Sequence, residues 1–184
     1  MPVPASFSYP GAAFFGGVRS ALGSVFFPVL AGTYIGIRAL AHDFAFSSWW
    51  LALSTVLVWA APAQVILLSA LGAGSAIFEA AVAVTLTAIR LFPMVVALLP
   101  LIRRKETPFY QLLLPTHFTS VSMWIESLRL LPAIPAEHRI AFCNGLSTTY
   151  MATATTFGFV GFYLAAKCRR FLPALSCFSL HCRF

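Results

Sequence analysis

Charge is what this 184-residue sequence has least of: Asp, Glu, Lys and Arg together make up 9% of it, against about 25% in an ordinary soluble domain. So little ionised surface excludes a charge-rich disordered segment and a coiled coil, and leaves too few polar groups to clothe an aqueous enzyme. Acidic side chains are the scarcest, 5 against 12 Lys and Arg. No two of them stand at a spacing that serves paired acid–base chemistry. The four cysteines are Cys143, inside an apolar run, and Cys168, Cys177 and Cys182 near the end, which is no disulfide framework. Their spacing with His181 matches no zinc pattern, so no metal site and no cofactor is expected. HExxH, GxSxG, GxGxxG and the Walker A loop are all absent, and the chain reads as a non-enzyme. The net charge of +7 comes from dispersed bases with no accompanying binding motif, which argues against nucleic acid as a partner. No positive charge precedes the first apolar stretch, so the start does not read as a cleaved secretory signal. No internal repeat is visible.

What the sequence does have is apolar residues, 60% of the total. Five runs approach the roughly 20 residues that a membrane crossing needs: Ala21 to Ile37, Ser48 to Leu71, Ile77 to Leu101, Gln111 to Leu131 and Ile140 to Ala166. None shows the period-2 alternation of barrel strands, so the expected fold is all-α. It reads as a polytopic integral membrane protein of about five transmembrane helices, with the second and third spans broken at proline. One helical domain over residues 1–166 is followed by a short basic, cysteine-containing tail, 167–184. Sorting the loop bases by the positive-inside rule puts Arg38, the Arg103 to Lys105 loop and the tail on the cytoplasmic side.

Within these runs a few polar residues stand out. Arg90 lies near the middle of the third run, where an ionised group is costly and is normally given a polar interior. Pro93, three residues on, cannot donate to the Ile89 carbonyl and so frees backbone polarity beside the guanidinium. Pro62 and Gln64 repeat that device in the second run. Two broken helices, each with a polar side chain near its break, point to a shared binding cavity in the manner of a secondary transporter. Glu126 is the deepest carboxylate of the fourth run, aligned with Thr116, Thr119 or Ser120, and Met123 on one helical face. It is placed to hold a substrate ammonium, to relay a proton, or to pair with Arg129 three residues on. His117 reads as a proton relay or as a hydrogen-bonded packing residue. The many hydroxyls of the fifth run read as close helix packing.

The segment Val58-Trp-Ala-Ala-Pro-Ala-Gln64, the glycine turn after it, and Thr85-Leu-Thr-Ala-Ile-Arg-Leu-Phe-Pro-Met94 followed by Ala97-Leu-Leu-Pro100 resemble the AzlC-type branched-chain amino acid permeases. The similarity runs from about Gly17 to Ala166. Gln64 matches the family's glutamine and Arg90 its arginine, while Ala61, Ala88 and Leu91 stand where the family has glycine, asparagine and histidine. The resemblance implies a divergent large subunit of an AzlC/AzlD exporter in a bacterial inner membrane. Such a permease would carry valine or leucine by secondary transport, with a small AzlD-type membrane subunit and the lipid bilayer as partners. Arg90, Gln64, Pro62, Pro93 and Glu126 would bind the amino-acid substrate. The resemblance also implies a further apolar segment after Ala166, so the tail reads as a truncated ending. A non-transporting membrane subunit and a proton or ion channel are the alternative readings.

Overall fold

The computed structural model describes residues 9–44, 46–104 and 107–171. Among them are nine α-helices, a single 3-10 turn at Leu131–Ala133 and no strand. In chain order the helices are α1 (Pro10–Leu22), α2 (Phe26–Asp43), α3 (Ser48–Leu57), α4 (Ala61–Gly72), α5 (Ile77–Ile89), α6 (Phe92–Ile102), α7 (Phe109–His117), α8 (Val121–Leu130) and α9 (Arg139–Phe171).

Local chemistry accounts for the short elements. Pro10, Pro62 and Pro93 each sit in the first turn of their helix, where a missing N–H costs nothing and the fixed φ is already helical. The same residues stop the preceding segment from running on. Ser120 caps α8, its hydroxyl accepting from the Met123 N–H at 3.2 Å. The α4–α5 turn passes through Gly74 at φ +79°, a conformation that favours glycine.

The long helix α9 is the axis of the molecule, and α1 and α2 pack along it. Missing side chains let them approach. A Cβ on Gly145 would lie 2.1 Å from the Phe14 carbonyl oxygen, and one on Gly17 would lie 2.3 Å from that of Phe142. On the other side of α9, a Cβ on Gly161 would meet Ile35 backbone at 2.6 Å. Around this trio a core closes over Tyr34, Leu51, Leu68, Leu98, Met123, Phe142, Leu146 and Tyr150. By contrast α5 buries only Ala80, and α6 only Leu98 and Ile102.

The five-span architecture is corrected by this arrangement. Among the described residues no single helix is long and apolar enough to cross a membrane. The first expected span is cut at Gly23 to Val25, the second at Val58 to Ala60, the third at Arg90 and Leu91, and the fourth between His117 and Val121. The fifth keeps its length in α9, but Asn144, Ser147 and the threonines of that helix leave it too polar. Two bent pairs reach the required length and hydropathy only jointly: Pro10–Leu22 with Phe26–Arg38, bent by 67°, and Ile77–Ile89 with Phe92–Ile102, bent by 46°. The multi-pass inner-membrane placement, the lipid bilayer and the AzlD-type subunit as partners, and the branched-chain permease mechanism all depended on helices able to cross a membrane, as did the membrane-subunit and channel alternatives. Without those spans, none of these readings is retained. The tail from 172 onward, with its expected truncation, lies outside the described residues; α9 itself continues past Ala166 to Phe171.

Candidate functional site

The break between α3 and α4 is organised around a cation that belongs to neither helix. Arg38, on α2, is fully buried. Its Nη2 donates to the Thr55 hydroxyl at 2.9 Å and its Nη1 to the Ser48 carbonyl at 3.3 Å. Its Cζ lies 5.8 Å from the centre of the Phe159 ring, a cation–π contact from α9. Gly158 makes room for it: a Cβ there would stand 2.9 Å from Arg38 Nε.

From the far side of the break comes Gln64, also fully buried. Its amide nitrogen donates to Ser54 Oγ at 3.0 Å and Thr55 Oγ1 at 2.9 Å. Both hydroxyls in turn donate to the Leu51 carbonyl at 2.8 Å. Thr55 Oγ1 thus accepts from both Arg38 and Gln64, and joins three helices at one atom. Carbonyls released where α3 ends find partners elsewhere. Tyr34 donates its hydroxyl to the Trp59 carbonyl at 3.4 Å, and His117 Nε2 stands 3.0 Å from that of Val56. The Tyr34 ring stacks on Trp59, which meets Phe118 edge-on.

The Trp59 indole N–H remains without a hydrogen-bond partner, and so do Arg38 Nε and Gln64 Oε1. Of the last two, one is a charged donor and the other an acceptor, tied together through Thr55. Among the described residues no carboxylate reaches the guanidinium. Burying an unpaired charge is expensive, and the cost shows in its titration: burial lowers the Arg38 pKa to about 10, offset in part by Tyr34. The group is therefore cationic at neutral pH. Burial raises the Tyr34 pKa, and the adjacent Arg38 lowers it in part. Phe159 also lines an open groove of about 470 Å³ with Thr156, Val160, Tyr163, Leu164 and Lys167, so a single ring touches both the groove and the cation.

The residues singled out from sequence fall in three places. Gln64 is in the centre just described, and Pro62 sits exposed in the first turn of α4 beside it. Arg90 is exposed at the α5–α6 bend, where it ends α5, and Pro93 is exposed in the first turn of α6. Because α4 and α5 are packed together and joined by a tight turn, α5 runs back toward the end of α4 that carries Pro62 and Gln64. Glu126 is buried on α8 and holds Arg129 at 2.5 Å. No hydrogen bond links Gln64, Arg90 and Glu126 with one another among the described residues.

Arg38, Ser54 and Thr55 were missed. Arg38 follows an apolar run and so reads as a flanking loop base, although its spacing of four from Tyr34 puts both on one face of α2. The adjacent Ser54 and Thr55 in an otherwise apolar run were the available signal.

No curated protein and no solved structure matches this chain. Among the described residues no group of three or more His, Cys, Asp or Glu side chains is placed to hold a metal ion. The AzlC protein family matches residues 24–168, a stretch that contains the whole Arg38–Thr55–Gln64 centre, and the chain belongs to that family, whose members are not enzymes.

Proposed function

We propose that this protein binds a small carboxylate-bearing solute, and that the Arg38–Thr55–Gln64 centre at the α3–α4 break is its site. One observation carries the reading: a fully buried guanidinium that no carboxylate reaches among the described residues keeps an unused donor, Nε, and shares the Thr55 hydroxyl with an amide whose acceptor, Gln64 Oε1, is also unused. A carboxylate satisfies the first through a charge-assisted hydrogen bond and neutralises the buried charge at the same time. An N–H or O–H on the same solute satisfies the second. Phe159 and the groove it lines supply apolar surface for the remainder.

Of the other expected site residues, Pro62 and Arg90 serve this centre from outside it, while Glu126 belongs to its own pair with Arg129 on α8. Pro62 fixes where α4 starts and so where Gln64 is presented. Arg90, beside Pro93 at the bend of the neighbouring hairpin, is a surface cation that draws a carboxylate toward that end of the molecule. Ala61, Ala88 and Leu91, at positions where the family carries other residues, mark this chain as a divergent member with its own solute preference. The working unit is a single helical domain over 1–166, with the tail outside it.

Titration calorimetry of the purified chain with acetate, lactate and isovalerate, each against its neutral amide, tests the reading. Saturable heat from the carboxylates and none from the amides is expected. Equal heats from both, or none from either, would mean that Arg38 is a structural latch only.

A further inference from the structure

One side of α5 is apolar and uncovered. The helix packs chiefly on α4 and buries only Ala80. On its open side Phe78, Val82, Leu86 and Ile89 follow one another at three- and four-residue spacing, which lines them up along the helix. All four are exposed, Phe78 by 78% and Leu86 by 65%. Thr85, which shares this face, spends its hydroxyl on its own helix, donating to the Ala81 carbonyl at 2.8 Å. Four such side chains leave on the order of 500 Å² of apolar surface open, as much as the largest patch of an ordinary monomer and a mark of an interaction site. Two of these faces together come to about 1,000 Å², the size at which an interface becomes specific.

Charge decides what covers the face. It carries two ionised groups, Glu79 in the first turn of α5 and Arg90 at its end, both exposed. Arg90 follows Glu79 by eleven positions, which is about three turns and about 16 Å of helix, so the two stand on one side with Val82 and Leu86 between them. Neither has an ion-pair partner among the described residues. A second α5 laid antiparallel across a two-fold axis sets Glu79 against the partner's Arg90 and Arg90 against the partner's Glu79, and both pairs close at once. A parallel copy would bring like charges together, and an uncharged apolar partner would leave both unpaired. Rim pairs of this kind add little affinity. They fix register and orientation, while the apolar side chains between them supply the attraction.

We propose that the open face of α5 is an interface between two copies of this chain, antiparallel at α5, with Glu79 of each copy paired with Arg90 of the other. The contact lies outside the Arg38–Thr55–Gln64 centre and does not depend on it. Arg90 draws a solute in the free monomer and holds the partner's Glu79 in the dimer, so its two uses belong to different states of the chain.

Sedimentation velocity of the full chain, over a hundredfold range of concentration in detergent-free buffer at low ionic strength, tests the proposal. The wild type is expected to pass from the monomer to the dimer mass and to grow no further. Leu86→Glu raises the dimer Kd at least tenfold and leaves the helical circular dichroism unchanged, because the position is exposed. Glu79→Arg and Arg90→Glu each raise it several-fold, and the double swap restores it, which a role for either charge at its own helix end would not do. A monomer at every concentration would overturn the proposal, as would growth beyond the dimer or a dimer that Leu86→Glu leaves intact. Single charge variants that weaken the dimer without rescue by the double swap would overturn the antiparallel pairing. A monomer that floats with phosphatidylcholine vesicles, and loses them in Leu86→Glu, would give the face to lipid and overturn it too.

Discussion

Arg38 is the residue on which most of this structure's chemistry turns, because it is a charge to which the described residues supply only neutral acceptors. Its pKa, lowered to about 10 by burial, sets a pH window. Below that value the guanidinium is charged and ready for an anion; above it the attraction is lost. Carboxylate affinity is therefore expected to be flat from neutral pH to about 9 and to fall as pH rises through about 10, where Arg38 titrates. Calorimetry across that range checks it, and an affinity unchanged well above that pH would remove Arg38 from the site. Gly158 gives a second handle. In Gly158→Ala the new Cβ, 2.9 Å from Nε, pushes the side chain aside. Affinity should drop several-fold while the melting temperature changes little, since the obstacle is the movable end of a side chain and not backbone. Unchanged affinity would show that Nε does not face the solute.

At the scale of elements, the important feature is a helix pair held open by side chains from both halves. Gln64 on α4 reaches back to Ser54 and Thr55 on α3, while Tyr34 and His117 occupy carbonyls that the break exposes. Gln64→Leu keeps the volume and removes both bonds. It should destabilise the protein by about 1–2 kcal/mol and speed hydrogen exchange across Leu57 to Ala63, with other helices unaffected. A uniform change along the chain would mean that Gln64 serves global packing and not the break. Much of this was legible beforehand: Pro62 and Pro93 stand just after two of the breaks, and Gln64 stood out as a polar group in an apolar run. What could not be read was the partner. Arg38 lies in a different run, and only the packing of α2 and α3 on the same helix, α9, brings it to Thr55. The polarity of the fourth and fifth runs was also plain, but its consequence for helix length was not. Thr119 bonds back to the Pro115 carbonyl as α7 ends, and Ser120 caps α8; such local competition for the backbone divides a run whose average hydropathy looks continuous.

On the scale of the whole molecule, α9 gathers α1 and α2 into a tight glycine-mediated core, and Gly158 of α9 makes room in it for Arg38. A solute that binds this folded arrangement and not the unfolded chain must stabilise all of it, in proportion to the logarithm of its concentration above Kd. The melting temperature of the wild type and of Arg38→Gln, followed as isovalerate is raised at constant ionic strength, is thus the most direct measurement of whether the buried cation is a binding site. The expected result is a progressive rise of several degrees in the wild type and a flat line in Arg38→Gln, which keeps a polar amide in place of the buried cation and is compared at its own cooperative transition. A rise of the same size in both proteins, or no rise in the wild type, would contradict the assignment of carboxylate binding to Arg38.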